Sequence, residues 1–436
     1  MTPLESTESP SVVVVAAAAA LMTLFIASTT ARRRLPTALT VMAFLMTFGR
    51  LSGLGEVAGL AKLLGGPSLA LVLASALTRR TAALRPHPVA WLQPFAAAAL
   101  VVGVSGALDA TMAMIVQAQW LLMTCAAAAV CGCTRTADDF DTVIRALAIG
   151  LAGGSLIGLS ALLFDPAGSF AAGYGRFTPY ECNPNQFGVA FALTVALSMH
   201  LLAGSRRVSH SLAWSFVIAC GAVGCLLTVS QMAIGLAALG SFPSVARLCR
   251  RPLAVTAILL AIGLLAPRLI GNSDGFNLSH IDDARGASRW AWTEAVLEEI
   301  RQRPFFGLAT AKDAYARDEE LNAHNAFVEV AYLAGLVAAT PLVAFVGLSL
   351  ASIPRRLAAA EPSDADVYAN RLMAALFVAS LVNGLINNLI IYPTYTWAFL
   401  HSLIGMRLLS CGARSNRAVR AAETPPLAPQ PSWVSA

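Results

Sequence analysis

An imidazole and two carboxamides lie where the longest polar stretch of the chain meets an apolar run. They belong to Asn322, His324 and Asn325, and the apolar run continues through Gly335. A neutral imidazole, which titrates near pH ~6.5, can accept a proton from a hydroxyl group, and a neighbouring amide can fix its tautomer or hold the acceptor. We therefore predict His324 and Asn325 as catalytic residues, the alternative being a histidine that only solvates a helix start. No His, Cys or acid lies at ligand spacing from His324, so we predict no metal site.

Two arginines have the chemistry to bind a phosphate near this histidine. Arg289 begins the segment 288–304, whose apolar residues recur at four-residue spacing and predict an amphipathic helix ended by Pro304. Arg176 precedes Asn183-Pro184-Asn185, a sequence that ends a loop and begins a helix. The planar guanidinium group can bind phosphate through two hydrogen bonds. Taken alone, each arginine fits a capping contact or a lipid headgroup equally well.

The composition indicates that these residues are carried by a membrane protein. Of 436 residues, 57% are hydrophobic and 12% are charged, whereas a soluble domain carries about 25% charged residues. Apolar runs of the roughly 17–25 residues that cross a bilayer recur along the chain. We predict an all-α, polytopic membrane domain over residues 1–411, because only helices and closed barrels satisfy the backbone in lipid. The Pro-, Ala- and Ser-rich tail, 412–436, is predicted to be a disordered cytoplasmic segment.

Arginine clusters predict the topology of about twelve or thirteen spans. They follow alternate spans, so the net charge of +6 indicates cytoplasmic loops and no nucleic-acid partner. The N-terminus lies outside with thirteen spans and inside if one early segment does not cross. In both cases loop 165–183, the turn at Ser230 and loop 271–323, which contains the amphipathic helix, face away from the cytoplasm. The predicted spans lie near 12–31, 36–53, 57–77, 89–108, 112–133, 143–164, 184–204, 212–229, 231–246, 253–270, 324–350, 372–391 and 394–410.

Small and polar residues inside the predicted spans suggest helix packing. Gly150, Gly154 and Gly158, and likewise Gly55 and Gly59, have the spacing at which helices approach closely. Amide side chains also occur near the outer end of the span at 372–391. They indicate either a functional site or hydrogen bonds between helices.

Four sequence segments, taken in order, resemble the O-antigen ligase and polymerase superfamily of bacterial envelope glycan enzymes. The resemblance covers residues 176–335, and the other spans only by hydropathy. Two departures are Gln231, where members usually carry Arg after Ser, and Ala338, where the ligase pattern has a second Gly after Gly335. The segments are Arg176 with Asn183-Pro184-Asn185, then Leu227-Thr228-Val229-Ser230, then Ser288-Arg289-x-x-Trp292 with Arg303-Pro304-Phe305-Phe306-Gly307, then His324-Asn325.

This resemblance implies a metal-independent glycosyltransferase of the bacterial inner membrane, with no cofactor and an active site facing the periplasm. Such enzymes transfer a glycan from undecaprenyl diphosphate to an acceptor hydroxyl, which belongs to lipid A-core in ligases and to another lipid-linked repeat unit in polymerases. We expect the ligase type, with the polymerase as the alternative and a transporter as the rival from another class. By resemblance, His324 and Asn325 activate or position the acceptor, while Arg289 and Arg176 hold the diphosphate. The supporting residues are Asn183, Asn185, Gln231 and Trp292.

Overall fold

The computed structural model describes residues 31–78, 88–104, 110–134, 136–170, 175–249, 258, 285–307, 325–358, 364–386 and 396–423. The spans predicted near 12–31 and 253–270 lie almost entirely outside these residues, and so does His324. Within the described ranges the only β-structure is an isolated bridge between Phe170 and Phe177.

Helices account for most of the described chain, and each span predicted within it corresponds to one helix. The helices are α1 (Ala31–Phe48), α2 (Glu56–Leu77), α3 (Leu92–Val104), α4 (Ala110–Cys133), α5 (Ala137–Phe164), α6 (Pro184–Gly204), α7 (Val208–Leu227), α8 (Gln231–Leu248), α9 (Arg285–Gln302), α10 (Ala326–Ala358), α11 (Asp364–Ile386) and α12 (Thr396–Glu423). Because α12 continues to Glu423, the first part of the segment predicted to be a disordered tail is helical. Residues 424–436 lie outside the described chain.

The helices have the length and composition of membrane spans. Seven of the described helices are long and apolar enough to cross a bilayer, and three shorter ones are also apolar. The prediction of an all-α, multi-pass membrane protein is therefore confirmed.

One end of the helix bundle is held together by buried arginines. Arg407 on α12 donates to the carbonyl oxygens of Thr134 and Thr136, between α4 and α5, at 2.6 and 3.1 Å. Arg356 on α10 donates to Asn370 Oδ1 on α11 at 3.1 Å. We call this the Arg407 end. The junction of α4 with α5, the end of α10 and the start of α11 therefore lie on one side of the protein.

The opposite end, which we call the Arg50 end, gathers the loops predicted to face outward. Ser52 Oγ, after α1, donates to the carbonyl oxygen of Glu181, just before α6, at 3.2 Å. Asn325 Nδ2, before α10, donates to the carbonyl oxygen of Leu385 near the end of α11 at 3.1 Å. The segments predicted to carry the chemistry thus begin or end on one side of the bundle.

Glycines on α5 allow the close helix packing that their spacing predicts. A Cβ atom at Gly150 would lie 2.3 Å from the carbonyl oxygen of Thr40 on α1, and one at Gly158 would lie 2.3 Å from the ring of Phe187 on α6. The same prediction is wrong for Gly59. A Cβ atom at Gly59 would have no atom of a neighbouring element within 4 Å. Glycine spacing alone therefore does not distinguish a packed helix face from an open one.

Candidate functional site

Helix α6 begins at the Arg50 end as its sequence predicts. Asn183 is the N-cap, and its Oδ1 accepts a hydrogen bond from the N–H of Asn185 at 3.0 Å. Pro184 follows at the first helical position, where its missing N–H is no loss. Asn183 therefore acts through the backbone, fixing the point at which the chain enters α6.

Arg176 joins two of the segments that the sequence singles out. Its Nη2 donates to Asn185 Oδ1 at 2.6 Å, and its Nε donates to the carbonyl oxygen of Thr228 at 2.9 Å. The second contact reaches the turn between α7 and α8, where Ser230 caps α8 and Gln231 follows with an exposed side chain. The guanidinium group of Arg176 therefore ties the start of α6 to this turn and positions Asn185.

The predicted amphipathic helix is present as α9. Val296 is fully buried and Ile300 packs against the main hydrophobic core, as expected for the apolar face. Arg289 and Trp292 lie on this helix, although their side chains are outside the described part of the chain. The structure thus gives the location of these two residues along α9 but no contacts for them.

The end of α9 is joined to α10 by a short contact that we call the clasp, formed by residues 304–307 and Gly335. The N–H groups of Leu336 and Val337 donate to the carbonyl oxygens of Pro304 and Phe305, at 2.8 and 3.4 Å. In an unbroken helix these two N–H groups would bond four residues back along α10. The clasp therefore supplies the hydrogen bonds that α10 loses where it is broken.

Two glycines make the clasp possible. Gly335 has φ 66° and ψ −166°, a region that is essentially accessible only to glycine. A Cβ atom there would lie 2.2 Å from the carbonyl carbon of Phe305. Gly307 has φ 65°, and a Cβ atom there would lie 2.6 Å from the carbonyl oxygen of Tyr332. The two backbones touch so closely that neither position has room for a side chain.

The span predicted near 324–350 is present as α10, with a break that the sequence reasoning did not predict. Helix α10 consists of an outer segment, 326–334, and a longer segment, 336–358, separated by Gly335. Hydropathy did not indicate the break because the residues on both sides of Gly335 are apolar. The clasp bonds to the start of the longer segment, and Gly307 packs against the end of the outer segment.

Asn325 caps the outer segment of α10. Its Oδ1 accepts hydrogen bonds from the N–H groups of Phe327 and Val328, at 3.0 and 3.1 Å, while its Nδ2 donates to Leu385. Both polar atoms of the amide are thus engaged in holding the start of this segment against α11. This arrangement makes Asn325 the residue that fixes where α10 begins.

We expect Asn325→Ala to lower stability by about 1 kcal/mol, because it removes the N-cap. Asn325→Ser keeps an oxygen that can cap the helix but loses the donor to Leu385. Thermal unfolding of the purified variants in detergent measures the difference, and the Ser variant should lie between Ala and wild type. Equal melting temperatures for all three proteins would show that the cap contributes nothing.

Arg50 is a residue of this site that the sequence reasoning missed. It lies just after α1 and lines a small crevice with Gln186 of α6 and Thr396 and Trp397 of α12. Burial raises the pKa of the nearby Cys182 thiol to about 12, and the charge of Arg50 partly opposes that rise. The available signal was a lone arginine inside the predicted span 36–53, where an ionisable residue is costly and often functional.

Two comparisons with known proteins identify no relative of this chain. The chain matches no protein-family model, and it has no significant match among curated proteins.

The structure brings some of the predicted site residues together and leaves others apart or outside the described chain. Arg176 and Asn185 are in direct contact, and Asn183 fixes the same helix start. Gln231 and Asn325 begin α8 and α10 at the same end, and both helices pack against α11. The described guanidinium and amide groups at this edge of the bundle mainly hold helix ends together.

Proposed function

We propose that the protein transfers a glycan from undecaprenyl diphosphate to an acceptor sugar hydroxyl at the periplasmic face of the bacterial inner membrane. His324 acts as the base or acceptor-positioning group, and Asn325 holds its helix in place. Arg289 and Arg176 bind the diphosphate leaving group. Arg176 also positions Asn185 through their hydrogen bond. The partners are the lipid-linked donor, a lipid A-core or glycan acceptor, and the bilayer itself.

The clasp is the observation that carries this proposal. The proposed diphosphate-binding Arg289 lies on α9, and the proposed base His324 adjoins the outer segment of α10. Residues 304–307, just after α9, join this end of α9 to α10 at Gly335, through hydrogen bonds from the N–H groups of Leu336 and Val337. A fixed spacing between a cation and a base is what transfer requires, because both must meet the same donor–acceptor pair.

The required chemistry agrees with residues of these types. The donor carries an activated phosphate ester, so charge develops on the departing diphosphate and is stabilised by arginine. The acceptor hydroxyl must lose its proton as its oxygen bonds to the sugar carbon, and a neutral imidazole can accept that proton. The site must lie at a membrane surface because the lipid stays in the bilayer while the sugars stay in water.

Two departures keep the polymerase as the second candidate. Gln231 replaces the arginine that members of the superfamily usually carry after Ser230. Ala338 replaces the second glycine of the ligase pattern, and it is fully buried in the packed segment of α10. Joining of lipid-linked repeat units is therefore the alternative reaction for the same site.

The glycan profile of a deletion strain separates these two reactions. Loss of a ligase leaves long polymer on its lipid carrier, whereas loss of a polymerase leaves single repeats attached to the final acceptor. We expect the first profile, restored by the wild-type gene. An unchanged profile in the deletion strain would contradict both reactions.

Arg289→Lys should reduce transfer about tenfold or more although it keeps the charge, because lysine cannot form the two-pronged contact of a guanidinium group with phosphate. Initial transfer rates with a lipid-linked donor measure this effect. The control is Arg301→Lys on the same helix. The Arg301 side chain is 76% exposed, and among the described residues it forms an ion pair with Glu298 at 3.0 Å. If both variants transfer at the wild-type rate, Arg289 does not bind the diphosphate.

A further inference from the structure

The crevice beside Arg50 lies between four helices at the Arg50 end. Its polar lining comes from Thr47 and Arg50 at the end of α1, Gln186 in the first turn of α6, and Thr396 and Trp397 at the start of α12. Apolar residues of α1, α5 and α6 complete the wall. The crevice has room for about one or two water molecules. This space suits the oxygens of a small polar group and excludes a sugar ring.

Two buried polar atoms in the lining have no hydrogen-bond partner among the described residues. They are the hydroxyl of Thr396, a residue 4% exposed, and the indole N–H of Trp397, a residue 1% exposed. Leaving a buried polar group unpaired costs about 1–3 kcal/mol. Buried polar groups in proteins are almost always paired with protein, water or ligand. The indole N–H can only donate, so its missing partner is an acceptor.

The electrostatic field at the crevice favours an anionic acceptor. Arg50 contributes a positive charge, and the described lining contains no acidic residue. Helix α6 begins here, and the N-terminal end of a helix carries a partial positive charge. The N–H groups of Asn185, Gln186 and Phe187 are already bonded to Asn183. Side chains, and not free backbone N–H groups, would therefore make the direct contacts.

We propose that this crevice binds a phosphate group by taking in one or two of its oxygens, through Arg50, the indole N–H of Trp397 and the hydroxyl of Thr396. The first turn of α6 places Gln186 in the crevice and Asn185 against Arg176, so two arginines flank one helix start. A phosphate bound there lies between the spans and near their ends. The source of the phosphate is either the headgroup of a polyprenyl diphosphate or free diphosphate in solution.

This site deepens the proposed function and rests on it only for the identity of the ligand. In a transferase, the crevice would hold a phosphate of the lipid carrier before and after the glycan leaves. Binding is measured without an acceptor, so the two ideas fail separately. Phosphate binding without glycan transfer would support the crevice site and contradict the transferase. Glycan transfer by the wild type, with phosphate binding unaltered in the variants, would contradict only the crevice site.

The test is isothermal titration of the full-length protein in a sugar-based detergent, which contains no phosphate. The probes are farnesyl diphosphate, farnesol and inorganic diphosphate. Arg50→Gln removes the charge, and Trp397→Phe removes the indole N–H while keeping an aromatic ring. We expect each variant to bind farnesyl diphosphate about tenfold more weakly or worse. Lys62→Gln is the matched control, because Lys62 lines a different crevice next to Arg50.

The probes distinguish the two sources of phosphate. Equal affinity for both diphosphates would indicate the free anion, and preference for the farnesyl form would indicate a lipid headgroup. The proposal is overturned if farnesol binds as well as farnesyl diphosphate, or if no probe binds to the wild-type protein. It is also overturned if Trp397→Phe binds normally, or if Lys62→Gln weakens binding as much as Arg50→Gln. Melting curves of each variant establish that it is folded.

Discussion

His324→Ala lowers glycan transfer by about 10²–10⁴-fold, the range that general acid–base catalysis contributes. The alanine variant keeps the helix start, since the N-cap of the outer α10 segment is Asn325. It loses only the group that takes the proton from the acceptor hydroxyl. The protein should therefore accumulate normally while the attached surface glycan disappears from the native host.

The matched control for this variant is His210→Ala. His210 is exposed on α7 near the Arg407 end, away from the proposed site. Surface glycan is measured by gel electrophoresis of cell extracts, with protein level measured on the same samples. Normal attached glycan in the His324→Ala strain, at wild-type protein level, would exclude His324 as the catalytic base.

Gly335→Ala breaks the clasp and is expected to have the largest effect on stability. The backbone at Gly335 has φ 66° and ψ −166°, a conformation that costs an alanine about 1–3 kcal/mol. The new Cβ atom would also lie 2.2 Å from the carbonyl carbon of Phe305, and such overpacking adds about 1–3 kcal/mol. We expect a destabilisation of about 2–6 kcal/mol together with loss of transfer, because the end of α9 separates from α10.

Gly347→Ala is the control on the same helix. Gly347 has no atom within 4 Å of its Cβ position, and alanine is favoured over glycine in a helix interior by about 0.5–1 kcal/mol. This variant should melt at or above the wild-type temperature in detergent and retain full transfer. If Gly335→Ala and Gly347→Ala melt together and both transfer normally, the clasp does not position the site.

Much of the fold could be predicted from the sequence because apolar runs and helix start signals are local. Asn183-Pro184-Asn185 begins α6 as predicted, since capping and a proline at the first helical position depend only on neighbouring residues. The amphipathic pattern of 288–304 similarly predicted α9. The arginine clusters predict a cytoplasmic side, and of these residues Arg356 and Arg407 both lie at the Arg407 end.

The features that sequence reasoning missed depend on contacts between distant segments. The break at Gly335 exists because Pro304 and Phe305 supply its hydrogen bonds from another part of the chain. A glycine between apolar residues gives no local sign of this. Arg50 was missed because it lies in an apolar run, and its importance follows from its contacts with α6 and α12.

The roles of the polar side chains were also only partly predictable. Arg176 and Asn325 have the chemistry to contact a substrate, but the structure engages both in holding helix ends together. A sequence shows that a residue has hydrogen-bonding groups and does not show which of them the fold already uses. The structure thus gives Arg176 and Asn325 structural contacts, and the catalytic role of His324 stays a prediction.

The most direct test of the proposed transfer is reconstitution of the purified protein with undecaprenyl diphosphate-linked glycan and lipid A-core acceptor. The proposal predicts a covalent glycan–acceptor product, formed without added metal or nucleotide sugar and lost with His324→Ala. Movement of the lipid-linked glycan across the bilayer without any covalent product would contradict the proposal and identify the protein as a transporter.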